Sequence, residues 1–301
     1  MSTIRVESLT KDYGEAKGVF DLSFNIDRGE VLGFIGPNGA GKTTTIRSMM
    51  GFIRVDDGVV NIMGMDAWCD ADKIMKDVGY LPGEISFPDN LTGWQFIKLI
   101  AELRGMKDFT KAKSLINVFN IDTSGKLKKM SKGMKQKIAI VCAFMHDPLV
   151  LILDEPTSGL DPLMQAEFVK LINDEKSKGK CILMSSHIFE EVEGICDRII
   201  MIKEGRLIAT VDPKDIRRNQ KKVYKIEFLN GEDFQLFLKG KFVVKESRVG
   251  CFQVIVEIDD LEINELISSL VGKGVKFISE IKQTLEDHFM GFYKDGGVDF
   301  E

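Results

Sequence analysis

Apolar and polar positions alternate strictly from Phe20 to Ile26 ("FDLSFNI"), which predicts a strand buried on one face. After the turn "RGE" the pattern becomes an unbroken apolar run, "VLGFI" at 31–35, and similar runs recur at "LVLIL" (149–153) and "CILM" (181–184). Helical sequence flanks each run. Such strands predict an α/β core: a mainly parallel sheet covered on both faces, with an antiparallel sheet at its edge. Between the first two runs, "TGWQFIKLIAELRGM" (92–106) opens a mostly helical stretch reaching about Phe144, a subdomain placed at about 88–145. Within it Ile138, Val141, Cys142 and Met145 have helical spacing, so a helix is expected to begin at Ser131.

The texture changes at "VDPKDIRRNQKK" (211–222), a charged stretch suited to a linker. It separates an expected first domain, 1–215, from a second, 220–301. In the second, the pattern predicts strand 223–229, helix 232–239, strands 242–247 and 251–258, helix 260–271 and strand 275–281. That order is βαββαβ, the split arrangement of small ferredoxin-like α+β domains. A last helix is expected at "TLEDHFMGFY", docked on the rest of the chain.

Composition narrows the class without naming a chemistry. Of 301 residues, 44% are hydrophobic and 29% charged, as in ordinary globular proteins. The net charge of −5 argues against bulk binding of nucleic acid, although "KKMSKGMKQK" (128–137) is locally basic. No apolar run approaches the ~18 residues a membrane span needs, and no leader pattern opens the sequence. A cytoplasmic protein is therefore expected, with Cys69, Cys142, Cys181, Cys196 and Cys251 as reduced core residues.

The chemistry lies in the segments that follow the apolar runs. "GPNGAGKTT" comprises Gly36, Pro37, Asn38, Gly39, Ala40, Gly41, Lys42, Thr43 and Thr44, between a strand and a helix. A G-x-x-x-x-G-K-T match in that setting is a phosphate loop. Backbone amides and the helix N-terminus surround phosphates, Lys42 adds a point charge, and the Thr43 hydroxyl is a Mg²⁺ ligand. In "LVLILDEPTSGLD", Asp154 ends a buried strand, where a carboxylate is costly unless it meets a cation. Glu155 projects just beyond and is placed to polarise an attacking water. His187, in "SSH" after another strand, is a candidate for the same γ-phosphate, the alternative being a structural histidine. "KKMSKGMKQK" itself holds a serine, a glycine and lysines but no acid, histidine or cysteine, so it suits an anion site without a catalyst.

From about Ile4 to Ala209 these pieces, in this order, resemble the nucleotide-binding subunit of ABC transporters. The resemblance implies ATP and Mg²⁺ as ligands, with Walker A at Gly36–Thr44 and Walker B at Leu149–Asp154. It makes Thr43 and Asp154 the Mg²⁺ ligands, Glu155 the catalytic glutamate, His187 the switch histidine and Lys42 a phosphate contact. Tyr13 in "KDYG" falls where an aromatic stacks on adenine, and Ser158, Gly159, Leu160 and Asp161 fall on the D-loop. Met130, Ser131, Lys132, Gly133 and Met134 take the places of the LSGGQ signature, which contacts ATP held by the other subunit of a head-to-tail dimer. Two places depart from the family pattern. Lys132 and Met134 replace glycine and glutamine, a variant similar to export ATPases that serve separate ABC-2-type membrane subunits. In "GYLPGE" Gly83 stands in the Q-loop glutamine's place, leaving Glu84 as a candidate substitute near the metal.

The expected function is ATP hydrolysis at the inner face of the cell membrane, driving export through a separately encoded permease. The ATPase partner would be a second copy or a related chain. The segment "EISFPDNLTGWQF" (84–96) is the expected docking surface, through Phe87, Leu91, Trp94 and Phe96. Two other readings are a soluble ABC-type ATPase acting on nucleic acid or ribosomes and an ATP-holding regulatory module without turnover. The first lacks the usual coiled coils or tandem ATPase units. The second sits poorly with Glu155 and His187.

Overall fold

The computed structural model describes residues 2–213 and 222–281, and the chain divides into two compact units at Pro213. The terminal helix expected at 284–293, and residues 214–221 of the expected linker, lie outside the described residues.

The first unit holds two sheets. Strands β1 (Ser2–Asp12) and β2 (Gly18–Asp27) form an antiparallel hairpin, and the unbroken run becomes β3 (Val31–Ile35). Helix α1 (Lys42–Met49) follows, then β4 (Asp57–Ile62), β5 (Met65–Asp66), the single turn α2 (Ala71–Ile74) and β6 (Val78–Leu81). Next come α3 (Gly93–Leu103), α4 (Thr110–Val118) and α5 (Lys132–Phe144), which make up the helical stretch. The remainder alternates: β7 (Val150–Asp154), α6 (Pro162–Ser177), β8 (Cys181–Ser186), α7 (Phe189–Glu193), β9 (Arg198–Lys203) and β10 (Arg206–Val211). The central sheet has the order β10-β9-β3-β8-β7-β6, parallel except for its β10 edge. The edge sheet, β2-β1-β4-β5, is antiparallel throughout.

The alternation at 20–26 has its expected result: Leu22, Phe24 and Ile26 are buried against Leu32, Phe34 and α1 in one core, with the Phe24 and Phe34 rings 5.8 Å apart. Phe144 of α5 and Phe168 of α6 meet edge to face on other packing, 6.5 Å between centroids. Thr92 caps α3 in a reciprocal capping box with Gln95. Arg104, at the end of α3, donates to the carbonyls of Met75 and Val78 and so fastens the helical subdomain to the start of β6.

A second fastening is ionic. Glu175 of α6, 1% exposed, accepts from Lys111 of α4 (3.0 Å), from Lys178 (2.9 Å) and from the buried Lys180. Lys111 and Lys180 also reach Asp147. Burial alone would raise the Glu175 pKa; hydrogen bonds from Lys180, Lys178 and Lys111 overcome it and hold the carboxylate below the usual glutamate value. Hydrogen bonds from Lys111 and Lys180 likewise keep Asp147 well below the usual aspartate value.

In the second unit, β11 (Lys222–Phe228), α8 (Gly231–Leu238), β12 (Val243–Arg248), β13 (Gln253–Ile258), α9 (Ile263–Leu270) and β14 (Val275–Ile281) follow in βαββαβ order. Their antiparallel sheet runs β12-β13-β11-β14, with Phe234, Phe237 and Leu266 of the helices packed on Ile226, Phe228, Val254 and Val256.

Three expectations need correction. Cys69 and Cys251 are exposed rather than core, because each sits in a surface turn between elements. The strand expected at 251–258 begins at Gln253, since residues 249–251 form a single 3₁₀ turn. The helix expected at 260–271 is shorter, a 3₁₀ turn over 260–262 leading into α9.

Because Lys180 and Glu175 are both nearly inaccessible, Lys180→Met leaves a buried carboxylate short of a partner. Denaturant titration at pH 7 should show a loss of about 2–4 kcal/mol. Lys170→Met, which breaks only the exposed pair with Glu167, should cost about 0.5 kcal/mol or less. The folded-state pKa values of Glu175 and Asp147 are lowered, so their contribution is present above the unfolded carboxylate pKa and lost as pH falls through the folded value. The gap between wild type and Lys180→Met should therefore close below about pH 4.

Candidate functional site

The carboxyl ends of β3, β8 and β7, three neighbours in the central sheet, deliver the phosphate-loop motif, His187 and the Asp154–Glu155 pair to one edge. This is where open α/β sheets bind ligands, because the strand ends and helix N-termini leave backbone groups free there. Three separate apolar runs thus place their trailing residues together.

The loop closes on α1 at Gly41, whose φ of 105° is left-handed and whose Cβ would lie 2.9 Å from the Val19 side chain. Thr45 already bonds back to the Gly41 carbonyl, so the amides of residues 42–44 are the free donors of the first turn. Lys42 is 6% exposed, and its Nζ donates to the carbonyls of Gly36 (2.5 Å) and Pro37 (3.1 Å) across the loop. Burial lowers the Lys42 pKa, and the carboxylates of Glu155 and Asp154 partly oppose that.

Asp154 is 3% exposed and is satisfied by hydroxyls. Thr43 Oγ1 donates to its Oδ2 over 3.2 Å, and Ser185 Oγ donates to its Oδ1. A threonine hydroxyl beside a buried carboxylate is a hard-oxygen pair, the donor chemistry that suits Mg²⁺. With the buried ammonium and the free helix amides adjoining, the residues present fit a Mg²⁺-bound nucleoside triphosphate.

Glu155 adopts φ of 48°, a costly conformation for a residue with a Cβ. Its neighbours hold it there. Its N–H donates to the Ser185 carbonyl and hydroxyl, at 3.2 and 3.1 Å, and its carbonyl accepts from Gln136 Nε2 at 3.3 Å. The side chain meets His187, Nδ1 to Oε1 being 3.1 Å. His187 therefore contacts the neighbouring acid directly.

Ser131 caps α5 as expected, its hydroxyl accepting from the Met134 amide at 3.3 Å. Gly133 lies against the 158–161 loop so closely that a Cβ would stand 2.5 Å from the Gly159 carbonyl oxygen. Asp161 caps α6 through the Met164 amide. Tyr13 is 55% exposed in the turn between β1 and β2, so it fills no edge-strand pocket.

At "GYLPGE" the backbone brings Gly83 to the buried acid: a Cβ on Gly83 would lie 3.1 Å from Asp154 Oδ2. Glu84 is exposed. The expected docking side chains Phe87, Leu91, Trp94 and Phe96 are half-buried, because Phe87 stacks edge-on against Phe96 (4.8 Å) and Trp94 meets Phe109 (5.6 Å). Exposed apolar area on this side comes instead from Phe52 and Leu103, which line a groove of about 840 Å³ together with Tyr80, Ile85 and Phe96.

Sequence reading missed Ser185 and Gln136. Ser185 was marked only by preceding His187 on a strand end. Gln136, 3% exposed, donates to the carbonyls of Glu155 and Pro156; its signal is a glutamine three and four residues before the apolar Ala139 and Ile140, amid lysines.

The sequence profile described as "ABC transporter" matches residues 19–158. The chain is 32% identical over 292 residues to the ABC transporter ATP-binding protein YdbJ of Bacillus subtilis (strain 168), spanning 95% of this chain and 94% of that one. It is 30% identical over 306 residues to the bacitracin transport ATP-binding protein BcrA of Bacillus licheniformis, covering 99% and 100%. Among solved structures, an ATP-binding subunit of an ABC transporter superposes with a TM-score of 0.67 at 33% identity, over 72% of this chain and 92% of that one. The dimeric cassette MJ0796, bound to ADP and Pi in a post-hydrolysis state, shares the fold with a TM-score of 0.63 at 21% identity, over 70% and 98%.

Gln136→Leu keeps the bulk of the side chain but strands the Glu155 and Pro156 carbonyls. It should cost about 1–3 kcal/mol in denaturant unfolding. An unchanged midpoint would mean that these bonds do not hold Glu155.

Proposed function

The chain belongs to the ATP-binding, ATP-hydrolysing subunits of ABC transporters, and from that membership we propose that two ATPase chains close head to tail around two ATP molecules. The observation that carries the reading is the junction of Thr43, Asp154, Glu155 and His187 at one sheet edge. Thr43 and Asp154 would hold Mg²⁺, which would supply neutralisation of the triphosphate's negative charge. Lys42 turns its ammonium from the loop carbonyls to the phosphates, and the loop amides cradle them. Glu155, held rigid from three sides, orients the attacking water, and His187 fixes the glutamate's carboxylate. The exposed Tyr13 ring offers its face to adenine. Ser131 to Met134 and Ser158 to Asp161 face the partner's nucleotide, so each site is completed by the other chain. Glu84, exposed beside Gly83, would be available to water near the metal.

Among the described residues no helix is long and apolar enough to cross a membrane. We assign the pore to a separately encoded permease, with this chain peripheral on the cytoplasmic face of the cell membrane. Its cytoplasmic segment would enter the groove beside Ile85, Phe96 and Leu103. Export is the favoured direction: relatives include the bacitracin transport protein and LptB, the lipopolysaccharide export system ATP-binding protein of Haemophilus influenzae, 34% identical over 250 residues.

Glu155→Gln should leave ATP binding intact and slow phosphate release by ~10²–10⁴, the usual worth of a base or water-positioning group. The variant should accumulate as an ATP-loaded dimer on size exclusion. Release at the wild-type rate would remove Glu155 from the mechanism.

A further inference from the structure

Lys132 stands where the family's signature loop has glycine, at the first residue of α5, where a cation opposes the helix dipole. Its ammonium does not stay at the helix end. Nζ donates to Ser158 Oγ over 2.8 Å, and the methylene stem lies across Gly159, its Cγ and Cδ 3.3 Å from where a Cβ would sit. Directly beneath, Gly133 and Gly159 make their close backbone approach. One helical turn on, Gln136 donates to the carbonyls of Glu155 and Pro156, and Lys137 lies 4.0 Å from Asp161. Residues 132 and 136, four apart, share one face of α5, and together with the flanking Lys137 they address the segment 155–161.

We propose that Lys132 is a positioning residue that fastens the 158–161 loop to the signature loop, so that both are presented to the partner chain's nucleotide as one preset surface. This rests on the head-to-tail reading above. A glycine at this position supplies no such tie. The lysine substitutes a charge-assisted hydrogen bond and a packed stem for the conformational freedom a bare loop retains, so its effect runs through the 158–161 loop. Prior fixing of both elements lowers the ordering cost of reaching the reactive geometry, so the effect falls on turnover.

The test uses the full chain in four forms: Lys132→Met, which keeps the stem and loses the ammonium; Lys132→Arg; Ser158→Ala; and Lys132→Met with Ser158→Ala. Lys132→Met and Ser158→Ala should each lower kcat by about fivefold to tenfold, the scale of one solvent-exposed hydrogen bond, with KM moving less than about twofold. The double variant should be no slower than either single one, because both break the same contact. Lys132→Arg should recover most of the rate, and thermal midpoints should stay together. Additive losses, an unchanged kcat, or a raised KM for Lys132→Met alone would overturn the proposal, the last by pointing to direct contact with a phosphate. ATP-driven dimerisation in the Glu155→Gln background reports separately on the reading beneath. A chain that stays monomeric overturns that reading and this tie with it, whereas intact dimerisation with additive losses overturns the tie alone.

Discussion

A carboxylate 3% exposed at the end of a parallel strand is the constraint on which the site depends. The oxygens of Asp154 must be met there by donors or a cation, since an uncompensated buried charge costs several kcal/mol. Ser185 from the adjacent strand and Thr43 from α1 meet it. Those two contacts tie the ends of β7 and β8 to the start of α1, and so set the distance between the acid pair and the phosphate loop. Gly83 completes the arrangement by leaving the remaining side of the carboxylate uncrowded.

The same strand end fixes the geometry of what comes next. Glu155 occupies a left-handed backbone conformation that its neighbours over-determine, through Ser185 on one side and Gln136 on the other. Gln136 belongs to α5, whose N-terminus, capped by Ser131, is the proposed anion site of the lysine-rich loop. The glutamate beside one chain's phosphate loop and the helix end that would serve the other chain's nucleotide are therefore mechanically joined. Such a joint gives a physical route by which occupancy of one site biases the other, provided the two arrangements differ in their contacts with the triphosphate and diphosphate states.

Much of this was legible in the sequence because burial on both faces leaves an unmistakable trace. The runs that became β3, β7 and β8 are continuous and apolar, and each is followed at once by its chemical residues. The capped start of α5 was legible from Ser131 for a similar local reason. Long-range facts were not. Nothing local says that Gly83 packs beside Asp154, because that depends on how the chain leaves β6. The half-burial of Phe87 and Trp94 depends on ring partners nine and fifteen residues away, Phe96 and Phe109. The roles of Ser185 and Gln136 arise between elements over thirty and nineteen residues apart in sequence. Periodicity reports which face is buried, and only the fold reports against what.

The central claim is that each nucleotide is served by the phosphate loop of one chain and the Ser131 helix end of another. Crossing two dead variants tests it most directly. Lys42→Ala spoils the phosphate loop, and Ser131→Arg blocks the helix N-terminus with a bulky side chain. Each homodimer then has two spoiled sites. A mixed dimer has one site in which the sound loop of the second variant meets the sound helix end of the first, while its other site carries both lesions. The account predicts that mixing restores part of the ATPase activity. No recovery, with mixed dimers demonstrated and one intact site shown to suffice, would contradict it.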